Sequence, residues 1–91
     1  LDKDVQLKIV DKLLAELKTR LDEKNIFFEF SKNLKEYILK SAFDVNYGAR
    51  PLKRFIQHNI ESLIARKIVN DKLEPNKKYT LDYKNDRLEI S

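Results

Sequence analysis

The residues most suited to binding a ligand lie at positions 47–54, which read Tyr-Gly-Ala-Arg-Pro-Leu-Lys-Arg. Gly48, the only glycine of the chain, permits a backbone turn that a side chain would block. Pro51 suits the first turn of a helix. Arg50 then lies at the positive end of a helix dipole, where a cation is disfavoured unless an anion joins it. These residues predict either a phosphate-binding helix start or an ordinary turn with a solvated arginine.

Groups that could carry out catalysis unaided are scarce in the rest of the chain. There is no cysteine, which excludes disulfides and thiol chemistry, and a single histidine argues against a zinc site. One glycine in 91 residues excludes the Gly-x-x-x-x-Gly-Lys-Ser/Thr loop that cradles phosphates. His58 has no partner in sequence and is expected at the surface or in an interface. We therefore expect the 91 residues alone to hydrolyse nothing and to bind no metal.

Composition indicates one domain and restricts its partners. The chain is 42% hydrophobic and 37% charged with a net charge of +4, and no stretch approaches the ~20 apolar residues that cross a membrane. Residues 44–72 carry six cations and three anions. Because no aromatic residues alternate with these cations, nucleic-acid binding is not expected. Binding of acidic partners by a basic helix stays open as an alternative function.

Apolar residues at steps of three and four predict three helices. They are expected at about residues 3–24, 32–42 and 50–70. Asp2 and Ser31 are the predicted N-caps of the first two helices. Glu16 and Arg20 are expected to form an i,i+4 ion pair.

Three short strands are predicted between and after the helices. Residues 26–30 are nearly all apolar, which fits a strand covered on both faces or an edge strand that meets a partner. Residues 79–83 and 88–90 read as a hairpin with its turn at 84–87. The order of elements predicts an α+β fold, in which three helices pack on one face of a small three-stranded mixed sheet.

The motif at 47–54, together with its context, resembles the sensor-2 segment of Clp-type AAA+ ATPases. The resemblance is strongest to the second ATPase module of ClpB disaggregases and extends over nearly the whole chain. It includes Ile9-Val10-Asp11, Leu17 and Arg20-Leu21 in the first helix. In that family this region is the small C-terminal (lid) subdomain beside a larger nucleotide-binding subdomain. We accordingly expect residues 1–91 to be one such subdomain, excised from a longer chain.

The resemblance implies a nucleotide site to which this chain contributes. Arg50 would be the sensor-2 arginine that reaches the γ-phosphate of ATP. Gly48 and Ala49 would let the backbone approach the nucleotide closely. Ile9 and Leu13 would cover the adenine ring, although both fit plain core positions equally. Mg²⁺ would be held by the large subdomain, outside these residues.

The resemblance also implies partners and a cellular role. The parent protein would be an ATPase that forms a homohexamer and threads aggregated or unfolded polypeptide through its ring. The aromatic residues of strand 26–30, Phe27, Phe28 and Phe30, and the C-terminal hairpin would contact the large subdomain of a neighbouring subunit. Isolated, the chain would be monomeric or weakly associating.

Two matters stay open at this stage. Ala42 and Val45 stand where many family members have glycine and proline, so the approach to the motif is expected to differ slightly. A peptidase-associated Clp unfoldase is an alternative parent. A bacterial cytoplasm and an organelle of a eukaryote with an AT-rich genome, such as a plastid or mitochondrion, are the expected locations.

Overall fold

The structure, a computed structural model, describes residues 3–42 and 50–91. In chain order the elements are α1 (Lys3–Asp22), β1 (Phe27–Phe30), α2 (Lys32–Ala42), α3 (Arg50–Phe55), a π-helical segment (Ile56–Glu61), α4 (Ser62–Val69), β2 (Lys78–Lys84) and β3 (Arg87–Ile90). The segments from Arg50 to Val69 follow one another without a break and are called the third helix. The predicted N-cap Asp2 lies outside the described residues. No helix among the described residues is long and apolar enough to span a membrane.

The first helix buries the stripe that its spacing predicts. Val10, Leu14, Leu17 and Leu21 are all buried, at steps of four, three and four, which keep them on one helix face. The helix ends at Asp22, two residues before the predicted Lys24. Asn25 then adopts a left-handed φ of 61°, so the chain turns into β1.

The three strands form the predicted mixed sheet, with the order β1-β2-β3. β1 and β2 are parallel, with Phe27 opposite Lys78, because the connection between them contains α2 and the third helix. β2 and β3 are antiparallel. The turn between them consists of Asn85 and Asp86, with φ values of 53° and 62°, as expected for a two-residue hairpin. The predicted fold class and hairpin turn are thus confirmed.

The aromatic strand β1 is an edge strand of the sheet, but it does not present all three phenylalanines to a partner. Phe28 is 1% exposed and packs against the rings of Phe30 and Tyr79 at centroid distances of 6.1 and 5.6 Å. Phe27 and Phe30 are half-buried. The expectation that Phe28 contacts a neighbouring subunit is therefore wrong, because strand alternation turns its side chain into the domain's own core.

Ser31 joins the sheet to α2. Its hydroxyl accepts the backbone N–H of Leu34 at 3.1 Å, which confirms the predicted N-cap. The same hydroxyl donates to the Asp82 carboxylate at 2.5 Å, and Asp82 also accepts the Tyr83 N–H at 2.8 Å. These bonds, with the Ser31 hydroxyl foremost, lower the pKa of Asp82. One serine therefore couples a helix start to the central strand.

The third helix differs from the single regular α-helix that we predicted, because Ile56–Glu61 is π-helical. Leu52, Ile56, Ile60 and Ile64 are all buried, and they recur at every fourth residue. On a regular α-helix such a series rotates by about 40° per step. The wider π turn compensates for this rotation, so the four side chains face one core.

Turns among the described residues rely on asparagine and aspartate. Positive φ values occur at five positions other than glycine, namely Asn25, Asp71, Asn76, Asn85 and Asp86. Asn and Asp tolerate this region better than other side chains that carry a Cβ. They terminate α1, follow α4, precede β2 and form the hairpin turn.

Candidate functional site

An open groove of about 610 Å³ lies between α1 and the third helix. It is lined by Ile9, Lys12, Leu13, Glu16, Arg50, Lys53, Arg54 and Gln57. Three of the residues predicted from the sequence, Ile9, Leu13 and Arg50, therefore meet in one place. The other two, Gly48 and Ala49, lie outside the described residues.

Helix periodicity explains why these side chains share the groove. The lining residues of α1 lie at positions 9, 12, 13 and 16, and those of the third helix at 50, 53, 54 and 57. Both sets follow the i, i+3, i+4, i+7 spacing of one helix face. A smaller hollow of about 140 Å³ continues from the groove toward Arg20 and Ile56. The two helices thus run side by side in the same direction.

Ile9 and Leu13 give the groove its apolar wall. Both are half-buried and pack against the core, whereas their neighbours Val10 and Leu14 are almost wholly buried at 0% and 2% exposure. The sequence left open whether Ile9 and Leu13 are core residues or a platform for a ring. The structure shows that they support the core with one side and face the groove with the other.

Cations that have no carboxylate partner in the described part of the chain give the groove its charge. Lys12, Arg50, Lys53 and Arg54 line it, and none of them belongs to the seven ion pairs that form among the described residues. Among the described residues, Glu16 is the one acidic residue of the lining. Arg50 is exposed at the start of α3. An apolar wall beside several free cations can hold a flat ring that carries a chain of phosphates.

An ion pair crosses from α1 to the π segment just beyond the groove. The Arg20 Nε and Nη2 atoms donate to the Glu61 carboxylate at 3.2 and 3.1 Å. The predicted Glu16–Arg20 pair is therefore wrong, because Arg20 turns to the third helix and leaves Glu16 facing the groove. Sequence spacing could not reveal a partner 41 residues away.

The remaining polar candidates lie away from the groove. His58 is exposed on the π segment, as expected of a surface residue, and does not line the groove. Among residues 3–42 and 50–91, no group of three or more His, Cys, Asp or Glu could hold a metal ion. The groove is therefore the best candidate for a binding site in the described part of the chain.

Comparison with known proteins gives a consistent result. Residues 1–81 match the family described as the C-terminal, D2-small domain, of ClpB protein. The chain is 44% identical over 91 residues to the chaperone protein ClpB of Mycoplasma genitalium, covering all of this chain and 13% of that protein. Identity to the ClpB chaperone of Nitratidesulfovibrio vulgaris is 40% over 81 residues, which covers 89% of this chain and 9% of that protein.

A third relative shows the same pattern of coverage. The ClpB chaperone of Bacillus cereus is 37% identical over 82 residues, covering 90% of this chain and 10% of that protein. The chain thus spans about an eighth or less of each of the three relatives. All three come from bacteria, so they give no support to the organelle alternative.

Proposed function

The chain belongs to the family of ClpB C-terminal, D2-small domains, and we propose that it supplies Arg50 to the nucleotide site of a longer, ATP-driven ClpB-like chaperone. The small share of each relative that it covers supports its assignment as one subdomain of a longer chain. The catalytic apparatus, including the phosphate-binding loop and the groups that hold Mg²⁺, would then lie in the large subdomain. Residues 1–91 would contribute to that site without forming it.

The observation that carries this proposal is the meeting of Arg50 with Ile9 and Leu13 in one groove. ATP combines a flat base with an anionic triphosphate, and the groove combines a half-buried apolar wall with cations that are unpaired among residues 3–42 and 50–91. Ile9 and Leu13 would cover the adenine, and the Arg50 guanidinium would bind the γ-phosphate through two parallel hydrogen bonds. Gly48 and Ala49 are proposed to allow close approach of the backbone, although they lie outside the described residues.

Arg50 is also well placed to transmit the state of the nucleotide. Leu52, two residues further along α3, is 0% exposed and belongs to the core. A force that the γ-phosphate exerts on Arg50 would therefore be transmitted to the core of the domain. When the γ-phosphate leaves, the link between this domain and the large subdomain is lost, and the angle between them can change. ATP hydrolysis would thereby lead to motion of this domain relative to the large subdomain.

The same family membership supports proposals about partners. The domain would pack against the large subdomains of its own chain and of the next subunit in a homohexamer. Its substrates would be aggregated or unfolded polypeptides, and its location a bacterial cytoplasm. A peptidase-associated parent is disfavoured because the three relatives are named ClpB chaperones. Binding of acidic partners remains the alternative that uses the same free cations.

The test is steady-state ATP hydrolysis by the full-length protein that contains this chain, with and without Arg50→Ala. We expect kcat to fall by about 100-fold or more, as when a phosphate-binding arginine is lost elsewhere, while ADP affinity changes much less. Arg66→Ala is the matched control, because Arg66 is an exposed arginine of the same helix outside the groove lining. Unchanged turnover of an intact ring in Arg50→Ala would reduce Arg50 to a surface residue and overturn the proposal.

A further inference from the structure

We infer that the Arg20–Glu61 ion pair is a positioning device, which fixes the third helix against α1 and so sets the shape of the nucleotide groove. This inference rests on the proposed function, because it assigns a role in ATP affinity to two residues outside the groove lining. Neither residue would touch the nucleotide. Their effect would pass through the groove residues that they hold in place.

The geometry of the pair suits this role. Two parallel hydrogen bonds of 3.2 and 3.1 Å join the guanidinium to the carboxylate. Such a fork fixes orientation as well as distance, which a single lysine contact cannot do. It joins the last turn of α1 to the final residue of the π segment. The ion pair therefore fixes two helices at one defined register.

Its location connects it directly to the groove. Arg20 lines the smaller hollow, which shares Leu13, Glu16, Lys53 and Gln57 with the groove. The pair thus lies at the end of the groove that is remote from Arg50. A shift of the third helix at this end would separate Lys53 and Gln57 from the apolar wall of α1.

The π segment makes such a fixed point necessary. A π turn acts as one extra residue in an α-helix, and each residue corresponds to about 100° of rotation. If the π turn moved along the helix, the residues that it passed would rotate away from α1. Glu61 lies at the C-terminal boundary of the π segment, so its bond to Arg20 holds the turn where the groove residues face inward.

The exposure of the pair allows this role to be separated from plain stability. The side chains of Arg20 and Glu61 are 49% and 35% exposed, and exposed ion pairs contribute little to the free energy of unfolding. Removal of the pair should leave the domain folded. A change in ATP affinity would then report on groove geometry alone.

The experiment measures kcat and KM for ATP with the full-length protein. In Arg20→Ala we expect KM to rise about fivefold, equal to about 1 kcal/mol at 25 °C, with kcat at saturating ATP and the melting temperature nearly unchanged. Arg20→Lys should restore KM in part, and the exchange Arg20→Glu with Glu61→Arg should restore most of it. Lys78→Ala is the control, because it removes an exposed ion pair with Glu29 on the sheet and should leave KM as it was.

The outcomes separate this inference from the proposed function. An unchanged KM in Arg20→Ala, beside a large loss of kcat in Arg50→Ala, would overturn the positioning role and leave the proposed function standing. If KM rises only together with a fall in melting temperature, and the exchanged pair does not restore it, the ion pair is merely structural and the inference fails. No effect of Arg50→Ala would count against the proposed function itself.

Discussion

The groove side of this domain, lined by α1 and the third helix, and its sheet side, formed by β1, β2 and β3, differ in whether their cations are paired with carboxylates. On the sheet side, Lys78 bonds Glu29 at 2.7 Å and Lys84 lies 3.6 Å from Asp82. In the groove, Arg50 and Lys53 have no carboxylate partner among the described residues. The two regions share one hydrophobic core, so they differ in surface chemistry rather than in packing.

This difference separates holding the fold together from binding a ligand. A cation that is paired with a carboxylate within the domain attracts an external anion only weakly. An unpaired cation beside an apolar wall attracts an anion strongly. The sheet side thus serves the integrity of the domain, and the groove serves a ligand from outside. Substitutions on the two sides should therefore change different measurable quantities.

The sharpest test uses two adjacent residues of α1, of which Val10 belongs to the core and Ile9 lines the groove. Val10→Ala should lower the free energy of unfolding by about 2 kcal/mol, because it removes buried methyl groups from the core, and should leave the KM for ATP unchanged. Ile9→Ala should cost less stability but raise KM, since Ile9 faces the groove. Urea denaturation of the 91-residue chain and ATP titration of the full-length protein measure the two effects. Equal effects of both substitutions on KM would remove the distinction.

A smaller loss of stability is expected at the junction of sheet and α2. Ser31→Ala removes the N-cap bond to Leu34, which is worth about 1 kcal/mol, and also the hydroxyl that donates to Asp82. Thermal unfolding of the 91-residue chain should show a lower melting temperature. Ser41→Ala, an exposed position at the end of α2, is the matched control and should be nearly neutral. ATP turnover should not respond to either change.

The smallest effect concerns pH and again belongs to the sheet side. The Ser31 hydroxyl, followed by the Tyr83 N–H, lowers the pKa of Asp82 below its ordinary value of 3.8. A group whose pKa is lowered by folding stabilises the folded state at any pH above its pKa in the unfolded chain. This stabilisation is lost as the pH falls through the pKa of the group in the folded chain. Stability should therefore decline as pH falls below about 5. Asp82→Asn should flatten part of this decline in urea titrations of the 91-residue chain, and an undiminished decline in that variant would contradict the prediction.

Local chemistry made most of the fold predictable from the sequence. The stripe of Val10, Leu14, Leu17 and Leu21 required only helix periodicity. The Ser31 cap and the Asn85-Asp86 turn required only knowledge of which side chains suit those backbone positions. In each case the cause lies within a few residues of its effect.

Long-range features were less accessible. The Arg20–Glu61 pair depends on how α1 and the third helix align, and no local rule specifies that alignment. The apolar series from Leu52 to Ile64 did carry a signal for the π segment, since its three steps of four would rotate by about 120° on a regular helix. Of the site, Arg50, Ile9 and Leu13 line one groove, but their roles toward ATP stay predictions.

A chain with a single glycine must turn by other means, and the five left-handed Asn and Asp residues of the described segments have a consequence in the unfolded state. Glycine at those positions would relieve left-handed strain in the folded chain. It would also raise the conformational entropy of the unfolded chain, which lowers the free energy of unfolding by roughly 0.5–1 kcal/mol per residue. The two effects oppose each other and are similar in size. Exchange between asparagine, aspartate and glycine at these connections should therefore be close to neutral, so that related sequences can vary there freely while the helices and strands stay in place.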